Sequence, residues 1–187
     1  MKLKLLSKQA PNIALDDVKN YLRITTTDED NLITAMINAA VDKAEAITNR
    51  ALSVRSYELY LNKVQSFEIP KPPFISLNSI EVKNGDSYVA FDGYLLDDKS
   101  EPAKVIINNY FAVDCYKNAI YKNAINCLKV TYSCGYSEIP EQIKIWIYSA
   151  VATMYENREQ IADLQSFQMP NRFIDSLLDP YKVRFFG

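Results

Sequence analysis

The side chains able to do chemistry are few and unevenly placed along the 187 residues. Acids cluster at Asp16-Asp17, at Asp28-Glu29-Asp30 and at Asp97-Asp98. Carboxylates so grouped can hold a magnesium ion. The first two groups stand where helices should begin, and acids there serve the positive end of the helix dipole. The third sits between turn residues and reads as a solvated turn. Two carboxylates brought together by folding can also hydrolyse a glycoside, but the spacing singles out no pair. Histidine is absent. That removes the commonest general base, the Ser-His-Asp and Cys-His arrangements, and nearly every zinc or iron site built on imidazole. The cysteines are Cys115, Cys127 and Cys134. They are odd in number, none is spaced Cys-x-x-Cys, and no histidine can complete a metal site, so three reduced, semi-buried thiols are expected. Four glycines leave no room for a glycine-rich phosphate loop. No catalytic residue, cofactor or metal is expected, and the chain reads as something other than an enzyme.

Charge narrows the partners. Lys plus Arg number 21 and Asp plus Glu 23, a net charge of −2. A strongly basic nucleic-acid binder is therefore disfavoured. Aromatic side chains that stack on single-stranded bases need basic residues among them, and the aromatic middle of this chain is net acidic, so its rings are assigned to sheet packing. Met1-Lys2-Leu3-Lys4-Leu5-Leu6 is basic and apolar, but Ser7-Lys8-Gln9 breaks the run too soon for a signal peptide. No stretch approaches 18 uncharged apolar residues, so no membrane span is expected.

The order of elements is helix, strands, helix. Leu15, Val18 and Leu22 form a stripe suited to a short amphipathic helix near residues 14–23. Thr27 is placed to cap a second helix, near 28–49, whose stripe is Ile33, Met36, Ile37, Ala40, Val41, Ala44 and Ile47. Ala35, Ala39, Ala40, Ala44 and Ala46 are small enough to admit a neighbouring helix. From residue 53 the texture turns to Tyr, Val, Ile and Asn with frequent turn residues, and strands are expected at 57–61, 67–69, 80–83, 89–91, 94–96, 104–108 and 127–133. Pro70-Lys71-Pro72-Pro73 must be a rigid connector, and Asn84-Gly85 marks a hairpin. Residues 109–126 hold a short echo, Tyr116-Lys117-Asn118-Ala119-Ile120 and Tyr121-Lys122-Asn123-Ala124-Ile125, read as a loop or hairpin on the sheet's edge.

A third helix is expected near 140–159, with Pro140 at its first position. Ile143, Trp146, Ile147, Ala150, Val151 and Met154 make one apolar face, and Ile145, Tyr148, Ala152 and Tyr155 add apolar character on the other sides. A helix apolar nearly all round is buried on more than one face, so these last four are candidates for a subunit interface. Residues 160–170 read as a polar loop, and a short last helix is expected near 171–178, ended by Pro180. The tail, Tyr181 to Gly187, is aromatic and basic where chain ends are ordinarily polar. It either folds back on its own domain or anchors a partner. The whole is an α+β chain: a small helical bundle, supplied by residues 1–52 and 140–187, with an inserted antiparallel β-rich module at 53–139.

Taken in order, the motifs resemble the head–tail connector (adaptor) proteins of tailed bacteriophages and prophages. Leu15-Asp16-Asp17-Val18-Lys19-Asn20-Tyr21-Leu22-Arg23-Ile24 and Thr27-Asp28-Glu29-Asp30-Asn31-Leu32-Ile33 resemble the family's V-K-x-Y-L-R … D-E-D-x-L-I start. Ala39-Ala40 and Ile47-Thr48-Asn49-Arg50 continue it, with Asn49 where the family often has Gly. Ile69-Pro70-Lys71-Pro72-Pro73-Phe74 with Ile80, Tyr132-Ser133-Cys134-Gly135-Tyr136, Ile139-Pro140, the run from Ile143 to Glu159, and Leu178-Asp179-Pro180-Tyr181-Lys182-Val183-Arg184 follow in family order. The resemblance implies a structural subunit of the virion neck, assembled in the bacterial host cytoplasm. It implies a head-to-tail ring beneath the portal protein, a platform for a tail-completion protein, and a lumen through which double-stranded DNA passes without sequence-specific binding. Net charge near zero suits a channel that must let DNA slide. Tyr181, Val183, Arg184 and Phe185 become candidates for portal docking. The alternatives are another phage neck or tail-completion protein and, further off, a small enzyme using a carboxylate pair.

Overall fold

In a computed structural model, residues 1–108, 125–157 and 172–183 are described. They fall into two compact units. Among the described residues, one comprises Met1–Ala10 and Ser53–Tyr136, the other Pro11–Leu52 and residues 137–183.

The helical unit holds α1 (Leu15–Leu22), α2 (Asp30–Thr48), α3 (Glu141–Glu156) and the short α4 (Arg172–Ser176), followed by a 3-10 turn at Asp179–Tyr181. The expected stripe of α2 is buried at Ile33, Met36, Ile37, Ala40, Val41 and Ala44. Ile47 is only half-buried, and Glu45 and Thr48 are buried in the last turn instead. Of the five alanines, only Ala40 and Ala44 lie in the core; Ala35, Ala39 and Ala46 face outward. Ile143, Trp146, Ile147, Ala150 and Val151 bury the matching face of α3. Each such aliphatic side chain contributes about 2 kcal/mol by leaving water. Both α1 and α2 stop at residues in the left-handed conformation, Arg23 (φ 59°) and Asn49 (φ 60°). Asn tolerates that geometry nearly as well as Gly, which accounts for an Asn at position 49.

Two helix starts differ from expectation. Thr27 does not cap α2 through its hydroxyl: residues 27–29 form a turn in which the Thr27 carbonyl accepts the Asp30 N–H at 3.3 Å, and the helix begins at Asp30. Pro140 is the N-cap of α3 and not its first residue, because its backbone is extended (ψ 142°) while its carbonyl accepts the Ile143 and Lys144 N–H groups. Pro180 likewise sits within the 3-10 turn.

The β unit contains two antiparallel sheets. The larger has strand order β1-β2-β8-β4-β5, from β1 (Lys2–Lys8), β2 (Arg55–Leu61), β8 (Leu128–Cys134), β4 (Phe74–Asn84) and β5 (Ser87–Ala90). The smaller runs β3 (Phe67–Glu68), β7 (Lys104–Ile107), β6 (Tyr94–Asp97). Residues 1–10, grouped with the helices on sequence, therefore run as an edge strand of the larger sheet. Lys2-Leu3-Lys4-Leu5 alternates with period two, and its partner β2 lies some 50 residues further on, in register Lys4 to Glu58. Strand β4 is longer than the expected 80–83 because bulges at Ile75 and Asn78 let the ladder with β8 continue from Phe74. Gly85 (φ +63°) takes the first central position of the β4–β5 hairpin. Within the described residues, Pro72-Pro73 and Glu101-Pro102 are cis. The echo at 116–125 and Cys115 lie outside the described residues, save Ile125, and so does the loop read at 160–170. Cys127 and Cys134 are buried.

One face of the larger sheet is core, with Tyr57, Leu59, Leu128, Val130, Tyr132 and Cys134 buried. The Tyr132 hydroxyl donates to the Pro70 carbonyl at 3.0 Å, tying the sheet to the proline connector. The other face carries a row of alternating charge across four strands: Lys4–Glu58 (3.1 Å), Glu58–Lys129 (3.7 Å) and Lys129–Glu81 (3.2 Å). Burial alone would push the Glu58 carboxyl up; hydrogen bonds from Lys4 and Tyr60 and the charges of Lys4 and Lys129 outweigh it and hold it below the ordinary glutamate value. A lowered carboxyl stabilises the fold above its unfolded pKa, and that contribution is lost as pH falls through the folded value. Acid titration of stability should therefore be shallower in Glu58→Gln than in the parent, measured by urea denaturation between pH 6 and 3.

Gly135 closes the strand that leads out of the sheet. Its φ is +115°, its N–H donates to the Pro73 carbonyl at 2.8 Å, and a Cβ there would lie 2.0 Å from the Ser53 carbonyl oxygen. Gly85 also has positive φ but has open space around it. Gly135→Ala should cost at least about 3 kcal/mol, strain and clash together, and Gly85→Ala about 1 kcal/mol. Paired denaturation curves check the difference.

Candidate functional site

Members of two of the three acid clusters have protein partners among the described residues. Lys19 reaches from α1 to the Asp30 carboxylate at 2.6 Å, joining α1 to the start of α2. Glu29 accepts the Tyr155 hydroxyl. Asp97 accepts the backbone N–H groups of Lys99 and Ser100 and the Ser100 hydroxyl, which hold its carboxyl below the ordinary aspartate value. Among the described residues no three Cys, Asp or Glu side chains gather closely enough to hold a metal ion.

The four interface candidates share one side of α3, at the spacing 145, 148, 152, 155. Ile145 is 46% exposed; Tyr148, Ala152 and Tyr155 are half-buried. The Tyr148 ring lies 5.7 Å from that of Tyr21 on α1, tilted by 48°. Tyr21 is 49% exposed, with its hydroxyl 3.3 Å from Ser149. Burial and the nearby Asp17 charge raise the Tyr148 phenol above its ordinary value. The result is an aromatic and aliphatic surface on α1 and α3. Sequence reasoning found the α3 half. It missed Tyr21, because α1 shows a stripe on one face only and Tyr21 lies off it.

The tail candidates divide. Arg184 and Phe185 lie outside the described residues. Tyr181 and Val183 are half-buried and tied back to the end of α2: the Val183 N–H donates to the Thr48 carbonyl at 3.0 Å, and Arg50 Nε donates to the Tyr181 carbonyl at 2.6 Å. The Arg50 guanidinium also stands 5.9 Å over the Tyr181 ring. Arg50 itself is buried, and Glu45 beside it accepts the Leu52 N–H at 2.9 Å. The first tail residues thus fold back on their own unit. Arg50 and Glu45 were not singled out on sequence, where a charged residue after a helix reads as solvated. The signal available was Arg50 following a left-handed Asn in the family pattern. Between α2 and α3, beside Lys182, lies a cavity of about 510 Å³ with a mostly apolar lining that includes Ala39, Ile47, Ala150 and Met154.

The family model for phage gp6-like head-tail connector proteins matches residues 12–86. That stretch is similar in sequence to head–tail connectors. It takes in α1, α2, β2, β3 and β4. Beyond it the likeness is one of fold. A subunit from the "Neck of empty GTA particle computed with C6 symmetry" aligns with a TM-score of 0.72 at 18% identity, over 100% of this chain and 98% of that one. A subunit from the "Neck of native GTA particle computed with C12 symmetry" aligns at 0.69, again at 18% identity and over 100% and 98% of the two chains. GTA here is a gene transfer agent, and a third match comes from its native virion. No curated protein matches the sequence. The connector match and the neck subunits are structural proteins, which speaks against an enzyme.

Arg50→Ala should remove a charge-assisted hydrogen bond and a cation–π contact and destabilise the helical unit by about 2 kcal/mol. Thermal and urea unfolding of the variant beside the parent check the loss.

Proposed function

We propose that this chain is a structural subunit of a phage-type neck, a head–tail connector that forms a ring with copies of itself beneath a portal protein. The observation that carries the reading is the joint one: connector sequence over residues 12–86, and a neck-subunit fold over the whole chain. Its place is the virion neck. The ring lengthens the DNA channel and offers a platform to a tail-completion protein. Double-stranded DNA passes through without being gripped, in keeping with the net charge of −2, since each phosphate neutralised by Lys or Arg adds salt-dependent affinity.

Within that reading, Ile145, Tyr148, Ala152 and Tyr155 face the neighbouring subunit, with Tyr21 beside them. Aromatic side chains held by a hydrogen bond or a ring contact lose little entropy on docking. Tyr181, Val183, Arg184 and Phe185 meet the portal, the first two being tied back to Arg50 and to the Thr48 carbonyl. Reconstitution with a cognate portal, followed by native mass spectrometry and negative-stain microscopy, tests the proposal. A chain that stays monomeric at high concentration and also fails on the portal overturns it. Deleting the gene separates a connector from another neck or tail-completion protein: loss of a connector leaves DNA-filled heads that leak, whereas loss of a tail protein leaves sealed heads.

Ile145→Asp should keep the fold, because the side chain is exposed and surface changes cost within about 0.5 kcal/mol. It should lower ring yield at least tenfold, read by native mass spectrometry beside an unchanged circular dichroism spectrum.

A further inference from the structure

The larger sheet ends in two strands, β1 and β5, each paired on one side only among the described residues. Sheet edges are templates for another strand, and soluble proteins ordinarily cover or blunt them. Here both are accessible and apolar in part: Leu5 and Leu6 are each 46% exposed on β1, and Val89 is 45% exposed on β5. The edges also differ in charge. Strand β1 carries Lys2, Lys4 and Lys8 and no acid; β5 is flanked by exposed Asp86 and Asp92, with no basic residue between them. Lys83 lies one strand in, opposite Tyr88, and the Lys129 ammonium stands 5.5 Å over the Tyr88 ring.

Direction adds a constraint. Every neighbouring pair in the five-stranded order is antiparallel. With an odd number of strands, β1 and β5 therefore run the same way. Copies related by the small rotation of a many-membered ring keep nearly the same strand direction, so β5 of one copy meets β1 of the next in parallel. A two-fold dimer would instead join like edges, setting lysines against lysines or aspartates against aspartates. Unlike edges are complementary, and a contact between two different patches is the kind that closes a ring.

We propose that the sheet continues from copy to copy, β5 of one protomer receiving β1 of a second copy of this chain as a parallel, charge-complementary edge. The proposal rests on the ring reading above but is separable from it, because a ring held by the α1–α3 surface alone needs no edge pairing.

The test uses the full chain carrying Leu6→Cys together with Val89→Cys, and Leu6→Cys with Ser87→Cys to cover a shift of register, under mild oxidation. A covalent ladder of dimer, trimer and higher forms is expected from a double variant, against no ladder from any single variant. A second arm reverses charge: Lys2→Glu and Asp92→Lys should each weaken assembly about tenfold, and the double variant should recover it. Rings that form without ladder or charge sensitivity, while remaining sensitive to Ile145→Asp, overturn the edge pairing and leave the ring reading standing. A single cysteine variant that dimerises as fully as the double variants also overturns it, in favour of like edges. Absence of assembly in every variant and in the parent, with portal present, removes the ring reading and the edge pairing with it.

Discussion

The β unit depends on β8. It is the central strand of the larger sheet, hydrogen-bonded along its length to β2 on one side and β4 on the other. Every second residue, Leu128, Val130, Tyr132 and Cys134, is buried, so a slip of one residue would turn the whole set outward. Both partners precede β8 by about 50 residues or more, and the smaller sheet lies between them in sequence. The chain must therefore close long loops before β8 is satisfied, which makes its ladder a late and cooperative event. The Lys4–Glu58–Lys129–Glu81 row reinforces the same register from the outer face. Gly135 ends the strand where only a glycine can pass Ser53.

The helical unit is organised by shorter-range rules. The apolar period of α2 and α3 decides which faces meet, and Lys19–Asp30 fixes α1 against the start of α2. Its less regular part is the end of α2, where Thr48, Arg50 and Glu45 collect the tail and the residues after the helix. A buried charge is costly unless hydrogen-bonded, and the tail supplies the Arg50 guanidinium with a carbonyl at 2.6 Å and a ring beside it. The anchor and the tail thus hold each other.

Surfaces with different chemistry remain for partners. The α1–α3 surface is aromatic and aliphatic, the sheet edges are charged and of opposite sign, and Asp30, Glu29 and Asp97 are engaged by Lys19, Tyr155 and backbone N–H groups.

The sequence by itself determined the kinds of element and their order. Helical period placed α2 and α3, alternation placed β2 and β8, Asn84-Gly85 placed a hairpin, and the ordered motifs pointed to a connector, because all of these are local patterns carried by neighbouring residues. It also singled out Ile145, Tyr148, Ala152 and Tyr155 as apolar positions away from the main face of α3. The tertiary structure alone decided that Lys2–Lys8 is an edge strand, that β3, β6 and β7 form a sheet of their own, that Tyr21 joins Tyr148, and that Arg50 is buried under Tyr181. Each of these depends on a partner tens to more than a hundred residues away. A strand, a ring contact or a buried charge is stable only once that distant partner is present, and no local pattern encodes where it will be.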